Sequence, residues 1–228
     1  MTIRCVIGVV AVLFAVQEAA ARCSDYDDLK KAYFGDLHVH TSYSLDSYGF
    51  DSRTDPASAY AFATGAAVDV TLDGPFGYTI NFSGGKLDFA TVTDHSEWLS
   101  TTYGCTVDTA SPFYGEDYCD SLRNGGHPFN NPYPRPCGSF PDQGTGWLDA
   151  QTHAWAAEKL ATETANNPCT FTTFHAFEWT LNDAGAGLHK NVYFRNASVP
   201  DLPLDRFNYP TAPLLWAGLA EQCNPGNG

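Results

Sequence analysis

The chain has 228 residues, with 12 Lys and Arg against 26 Asp and Glu and a formal net charge of −14. A balance this acidic excludes binding to nucleic acid or to an anionic membrane through bulk charge, so affinity for an anionic substrate has to come from local cations or from bound metals. The length is enough to bury one sizeable core and falls within the range of a single domain.

The first residues read as a secretory signal peptide over residues 1–21. Arg4 supplies the positive start, Cys5 to Val16 is almost uninterrupted apolar sequence, and Ala19-Ala20-Ala21 offers a small-residue cleavage site. The apolar run is too short to span a bilayer, so the expectation is an exported protein, periplasmic or extracellular, with no stable membrane anchor after cleavage. Cleavage removes one cation, Arg4, and one anion, Glu18, and leaves the net charge unchanged. It also leaves Cys23, Cys105, Cys119, Cys137, Cys169 and Cys223, an even number in an oxidising compartment, for which disulfides are the default. Bridging within the region of Cys105, Cys119 and Cys137 is expected.

From residue 22 to 228 one domain is predicted. Ala32 to His40 reads as a buried strand marked by Phe34, Leu37 and Val39, and Pro56 to Thr64 reads as a helix. Leu87 to Thr93 is a second strand. Residues 99–146, rich in Gly, Pro, Cys, Asn and aromatics, show no sustained period and read as a long ordered loop, a feature that usually carries function. Trp147 to Asn166 follows as a helix with Trp147, Leu148, Trp155 and Leu160 at helical spacing, stopped by Asn167-Pro168. Thr170 to Trp179 is a third strand, His189 to Arg195 a fourth, and Ala212 to Gln222 is helix-like. Strands alternating with helices predict an α/β fold with mainly parallel strands.

The chemistry gathers at strand ends. In a strand, residues two apart point the same way, so His38 and His40 present two imidazoles on one face where the chain leaves for a loop. His-x-His alone is a weak motif, and its weight here comes from its company. Asp36 precedes it, Asp46 follows in a Ser/Tyr-rich turn, and Asp94-His95 ends a second strand. His95 can ligate while Asp94 orients a neighbouring imidazole through its other ring nitrogen. Glu178, between Phe177 and Trp179, is a carboxylate among apolar groups that needs a cation or hydrogen bonds, a need that bridging two metals would meet. His189 falls near a strand start, a less typical place for a ligand. Imidazoles mixed with carboxylates suit zinc, manganese or iron rather than calcium. Lys190, Asn191, Arg195 and His127 are candidates for holding substrate, with no spacing that selects among them. His175 falls on the face opposite Glu178 and reads as a core histidine.

Gly35-Asp-Leu-His-Val-His-Thr-Ser-Tyr-Ser-Leu-Asp46 and Ala90-Thr-Val-Thr-Asp-His-Ser-Glu-Trp-Leu99 together resemble the polymerase-and-histidinol-phosphatase (PHP) superfamily. Phe177-Glu-Trp-Thr180 and Leu188-His-Lys-Asn-Val192 narrow the resemblance to an exported bacterial branch catalogued as a domain of unknown function. The resemblance implies a distorted seven-stranded β/α barrel that holds two or three divalent metals and hydrolyses phosphoesters. Carried over by position, it implies His38 and His40 as a first metal pair, Asp46 as the acid of the first motif, and His95 as the ligand of the second. It likewise implies Glu178 as the bridging glutamate and His189 as the histidine that follows it. Such proteins continue further, with another His-bearing motif and a late Asp-x-His pair. Neither follows Arg195, so the barrel is expected to be incomplete at the C-terminus.

The expected activity is phosphoester hydrolysis by metal-activated water, with Glu178, Asp94 and Asp46 in the catalytic machinery and a small phosphoester as substrate. Two alternatives stay open: hydrolysis of amides or lactones, because His-x-His also serves amidohydrolase-like sites, and an exported metal-binding domain without catalysis.

Overall fold

A computed structural model describes residues 23–24, 29–71, 77–125, 146–183 and 186–223. The chain divides into a short N-terminal unit ending at Lys31 and a compact unit from Ala32 onward. The expected signal peptide lies outside the described residues, as do His127 and Cys137.

The compact unit is mixed α/β. Its centre is a parallel three-stranded sheet in the order β1 (Gly35–Val39), β4 (Phe89–Val92), β5 (Thr172–Thr173). Two antiparallel pairs accompany it: β2 (Val68–Thr71) with β3 (Gly77–Ile80), between β1 and β4 in sequence, and β6 (Ala176–Asp183) with β7 (Ala186–Tyr193), after β5. The expectation of mainly parallel strands therefore holds for the central sheet only, and among the described residues the strands do not close into a barrel.

β1 departs from expectation. It sits at the sheet edge rather than inside, with Phe34 71% and Leu37 40% exposed. Its apolar residues look like core in the sequence, yet only one neighbour, β4, covers it. The two strands pass so close that a Cβ at position 35 would overlap the Phe89 carbonyl oxygen, which explains Gly35. β4 is the buried strand: Ala90 and Val92 pack with Tyr60, Ala63 and Phe171. Tyr60 belongs to α2 (Pro56–Ala63), whose start is fixed by Asp55 accepting from Ser58 N at 2.8 Å, with Pro56 in the first turn.

The predicted strand Thr170 to Trp179 is two strands. β5 stays beside β4, and the chain then turns through Phe174 and His175 so that β6 can pair with β7. Alternation along β6 sends Phe177 and Trp179 into the main core, with Trp155, Leu99, Val192, Phe194, Leu204 and Leu215, and sends Glu178 and Thr180 to the other face.

The long helix is α5 (Gly146–Ala165), close to the predicted bounds. Its buried stripe is Trp147, Ala150, Gln151, Ala154, Trp155, Glu158 and Thr162. Leu148 and Leu160, which seem to belong to that stripe by composition, are exposed, Leu160 at 65%. The 3.6-residue period fixes the face, and three polar residues, Gln151, Glu158 and Thr162, occupy it where apolar ones would be expected.

The aperiodic segment 99–146 contains helices in its first half, α3 (Leu99–Thr106) and α4 (Asp117–Arg123). They escape a periodicity reading because they are short and because α3 buries Ser100, Thr101, Thr102 and Gly104 beside Leu99 and Cys105. A Cys105–Cys119 disulfide joins the two helices, as expected for that region. Around it pack Leu122, Phe113, Trp147 and Ala150, together with Leu45 and Tyr48 of α1 (Leu45–Gly49). Cys23 and Cys169 are also disulfide-bonded, whereas Cys223, at the end of α6 (Ala212–Cys223), has a free thiol. Such disulfides belong to an oxidising, exported environment. No helix among the described residues is long and apolar enough to cross a membrane.

Candidate metal centre

The C-terminal ends of β1 and β4 lie side by side, and the chain leaving β4 meets β6 in a parallel bridge between His95 and Glu178. Backbone bonds secure that junction: Glu178 N donates to Asp94 O at 3.0 Å and Ser96 N to Glu178 O at 2.9 Å. Tyr193 OH ties β7 to β1 by donating to Leu37 O at 2.6 Å. Three separate stretches of sequence thus deliver their polar ends to one place.

Glu178 is the centre of the cluster and is fully buried. Its Oε2 lies 2.7 Å from His38 Nε2 and 3.0 Å from His40 Nε2, and those two nitrogens are 2.9 Å apart. Its Oε1 faces His189 Nδ1 at hydrogen-bond distance, with Thr180 Oγ1 at 2.9 Å and His95 Nδ1 at 3.6 Å. The other ring nitrogen of His95, Nε2, lies 3.4 Å from Asp46 Oδ2, and Asp46 Oδ1 lies 3.5 Å from His40 Nδ1. Ser44 Oγ stitches this side together, 2.9 Å from His40 Nδ1, donating to Asp46 Oδ1 at 2.8 Å and accepting from His95 N at 3.2 Å.

The donors form three overlapping groups, His38/His40/Glu178, His40/Asp46/His95 and His95/Glu178/His189, each compact enough to surround one ion. The donor set fits a divalent metal. Two imidazole nitrogens and a carboxylate oxygen converging within about 3 Å cannot all be satisfied by one shared proton, whereas a cation between them accepts every lone pair.

The electrostatics follow from this crowding. Burial by itself would push Glu178 up, but hydrogen bonding from His40, Thr180 and His189 and the charge of His95 outweigh it and hold the carboxyl well below its usual range. Asp46 behaves alike: burial is overcome by hydrogen bonding from His95 and Ser44 and by the charges of His40 and His95. For His40, burial works against the charged ring, but the Glu178, Asp46 and Asp94 carboxylates together raise its pKa.

All six residues expected as ligands, His38, His40, Asp46, His95, Glu178 and His189, are brought together. The others are placed differently. Asp94 does not orient an imidazole: its carboxylate accepts from Thr41 N and Thr41 Oγ1, clamping the turn that follows His40. It is fully buried beside Glu158 of α5, whose pKa is raised well above the usual carboxylate range by burial and by the neighbouring Asp94, so Asp94 supports the site from beneath. Asp36 is exposed and accepts from His38 N at 2.9 Å, a local turn rather than a ligand. Lys190 pairs with Trp179 and shares the core-side face of the hairpin, away from Glu178. Arg195 is exposed beyond the end of β7. Asn191 is directly across from Glu178 on the same face, and its buried Oδ1 has no hydrogen-bond partner. His175 is a buried histidine facing Glu163 at 3.5 Å.

Three contributors are not evident from motif reading: Ser44, Thr180 and Glu97. Glu97 is buried, accepts from Thr180 N at 2.7 Å, and is pushed up to about 8 by burial. Thr180 does carry a signal, because it lies two residues from Glu178 and so shares its strand face.

A family model described as protein of unknown function (DUF3604) matches residues 27–228. The chain belongs to that family. No curated protein and no solved structure matches the chain.

Proposed function

We propose that this member of the family is an exported metal-dependent hydrolase acting on phosphoesters, built on a distorted β/α barrel of the PHP type. The observation that carries the reading is Glu178: a buried, ionised carboxylate whose two oxygens each meet a different set of imidazoles, His38 and His40 on one side, His189 and His95 on the other. That is the arrangement needed by a residue shared between two ions. Zinc, manganese or iron suits the donors. Such ions, when bound, lower the pKa of a coordinated water and neutralise charge that develops on a phosphoryl group.

The protein's own residues supply the rest. His38, His40 and Glu178 hold one position and His95, Glu178 and His189 a second, with Asp46 joining His40 and His95. Asp46 and Glu178 both stay ionised at neutral pH and act as ligands rather than proton donors. His38 and His189 are about half exposed, 53% and 50%, which leaves the cluster open to substrate from solvent. Asn191 offers an amide beside Glu178 for orienting it. The PHP resemblance of residues 35–46 and 90–99 supports the choice of phosphoesters over other esters.

The test is a panel of phosphomonoesters and phosphodiesters set against amides and lactones, run with added zinc or manganese. The expected result is phosphoester turnover abolished by a chelator and by His40→Ala. Turnover of amides or lactones alone overturns the substrate class. Full activity in His40→Ala, or ions bound tightly with no turnover on any substrate, overturns the hydrolase.

A further inference from the structure

Of the three polar residues in the buried stripe of α5, two have partners. Glu158 is hydrogen-bonded to Asp94, and Thr162 Oγ1 lies 3.0 Å from Tyr60 Oη. Gln151 is only 5% exposed and has no hydrogen-bond partner among the described residues. A buried amide left so is costly unless water or a ligand satisfies it. Gln151 lines a cavity of about 400 Å³ together with Asp201, Asp205, Asn208, Tyr209 and Gln222, a volume in the range of small-molecule sites. None of the six candidate metal ligands lines it.

The wall opposite α5 is fixed by its own hydrogen bonds. Asp205, also 5% exposed, accepts from Phe207 N at 2.7 Å, Asn208 N at 3.0 Å and Asn208 Nδ2 at 2.9 Å. Tyr209 N donates to Asp205 O at 2.8 Å, and Tyr209 O accepts from Trp179 Nε1 at 3.0 Å. Gly218 makes room for the Tyr209 ring, which a Cβ at that position would overlap.

These bonds decide what the cavity can take. Asn208 commits Nδ2 to Asp205, and Gln222 donates from Nε2 to Tyr209 Oη at 2.9 Å, which leaves both carbonyl oxygens as acceptors. The charged side chains of the lining are Asp201 and Asp205, both acidic. An anion would meet their repulsion, whereas an ammonium group brings positive charge, three donors and no acceptor. We propose that this cavity binds a small organic amine, its ammonium group taken by Asp201 and by the amide oxygens of Gln151, Asn208 and Gln222. The site is separate from the metal centre, and its occupancy is measurable without turnover.

Calorimetric titration with 1,4-diaminobutane is expected to give a Kd below about 1 mM in the wild type. Gln151→Leu is expected to weaken it about 10- to 100-fold, through loss of a buried hydrogen bond to a charged group. Asp201→Asn, at an exposed position, is expected to weaken it roughly 3- to 5-fold. In nitrogen-15 NMR the side-chain amide signal of Gln151 should move as the diamine saturates the wild type. Absence of binding in the millimolar range overturns the proposal, and so does unchanged affinity in a folded Gln151→Leu protein. Where Gln151→Leu does not fold, unchanged affinity in Asp201→Asn with a stationary Gln151 signal in the wild type has the same force. Saturation by calcium or by glycerol with none by the diamine overturns the amine as the ligand class.

Discussion

Two regions on either side of α1 are organised by opposite means. The helical region of α3, α4 and the start of α5 is apolar and covalently closed: Cys105–Cys119 runs through Leu122, Phe113 and a Trp147 ring stacked on Phe113 at 3.9 Å between centroids. The strand-end region is polar, with buried Glu178, Asp94 and Glu97 and four imidazoles, and its desolvation is compensated by hydrogen bonds, to which a cation held there would add. They meet at α1, where Leu45 and Tyr48 enter the apolar cluster and Asp46 between them joins the ligands. One region is apolar and cross-linked, the other carries the candidate metal ligands, and a five-residue helix contributes residues to both.

The largest effect expected is at the polar end. Glu178→Gln keeps the volume but removes the shared anion, and metal affinity is expected to fall by more than about 100-fold, beyond the loss typical of supporting residues. Equilibrium dialysis with metal analysis measures it, and circular dichroism should show the fold retained. Next comes the apolar end: replacing Cys105 and Cys119 by Ala opens a loop spanning 14 positions and is expected to cost about 3 kcal/mol in chemical denaturation. Metal stoichiometry should remain that of the wild type. A loss of bound metal in the folded double variant would show that the two regions are not separable.

A smaller, pH-dependent effect is expected at His175. Burial lowers its pKa, against the pull of Glu163 and with the help of Lys159, so the unfolded chain takes up this proton first as pH falls. Protons then favour the unfolded state, so this stability is full above about pH 6.5 and is lost as pH falls from there toward the folded pKa. His175→Gln should flatten that part of the stability profile. Smallest of all, Leu160→Lys on the exposed face of α5 is expected to change stability by no more than about 0.5 kcal/mol, although the residue looks like core in the sequence.

Leu160 shows where pattern reading fails. α5 is legible as a helix because Trp147 and Trp155 keep its period, but its buried stripe includes Gln151 and Glu158, which hydrophobicity alone assigns to solvent. β1 fails for the opposite reason, since Phe34 and Leu37 are apolar and yet lie at an edge. Whether an apolar strand is buried depends on how many neighbours it has, and strand order is not written in the strand. The antiparallel β6–β7 pair was hidden because a strand ending in Trp179 and another starting at His189 read equally well as separate parallel elements.

The sequence by itself determined the identity of the six candidate ligands. His38 and His40 share a strand face by the period of two, His95 follows the end of a second strand, Glu178 stands between apolar neighbours, and His189 enters through the family resemblance. Their convergence was decided by tertiary structure alone, through the β1–β4 pairing and the His95–Glu178 bridge, which bring together residues as far apart as His38 and Glu178, 140 positions. The same contacts removed Asp94 from the imidazoles and assigned it to Thr41. Residue type sets what a side chain can bind, but the nearest donor sets what it does bind, and long-range pairing decides which donor is nearest.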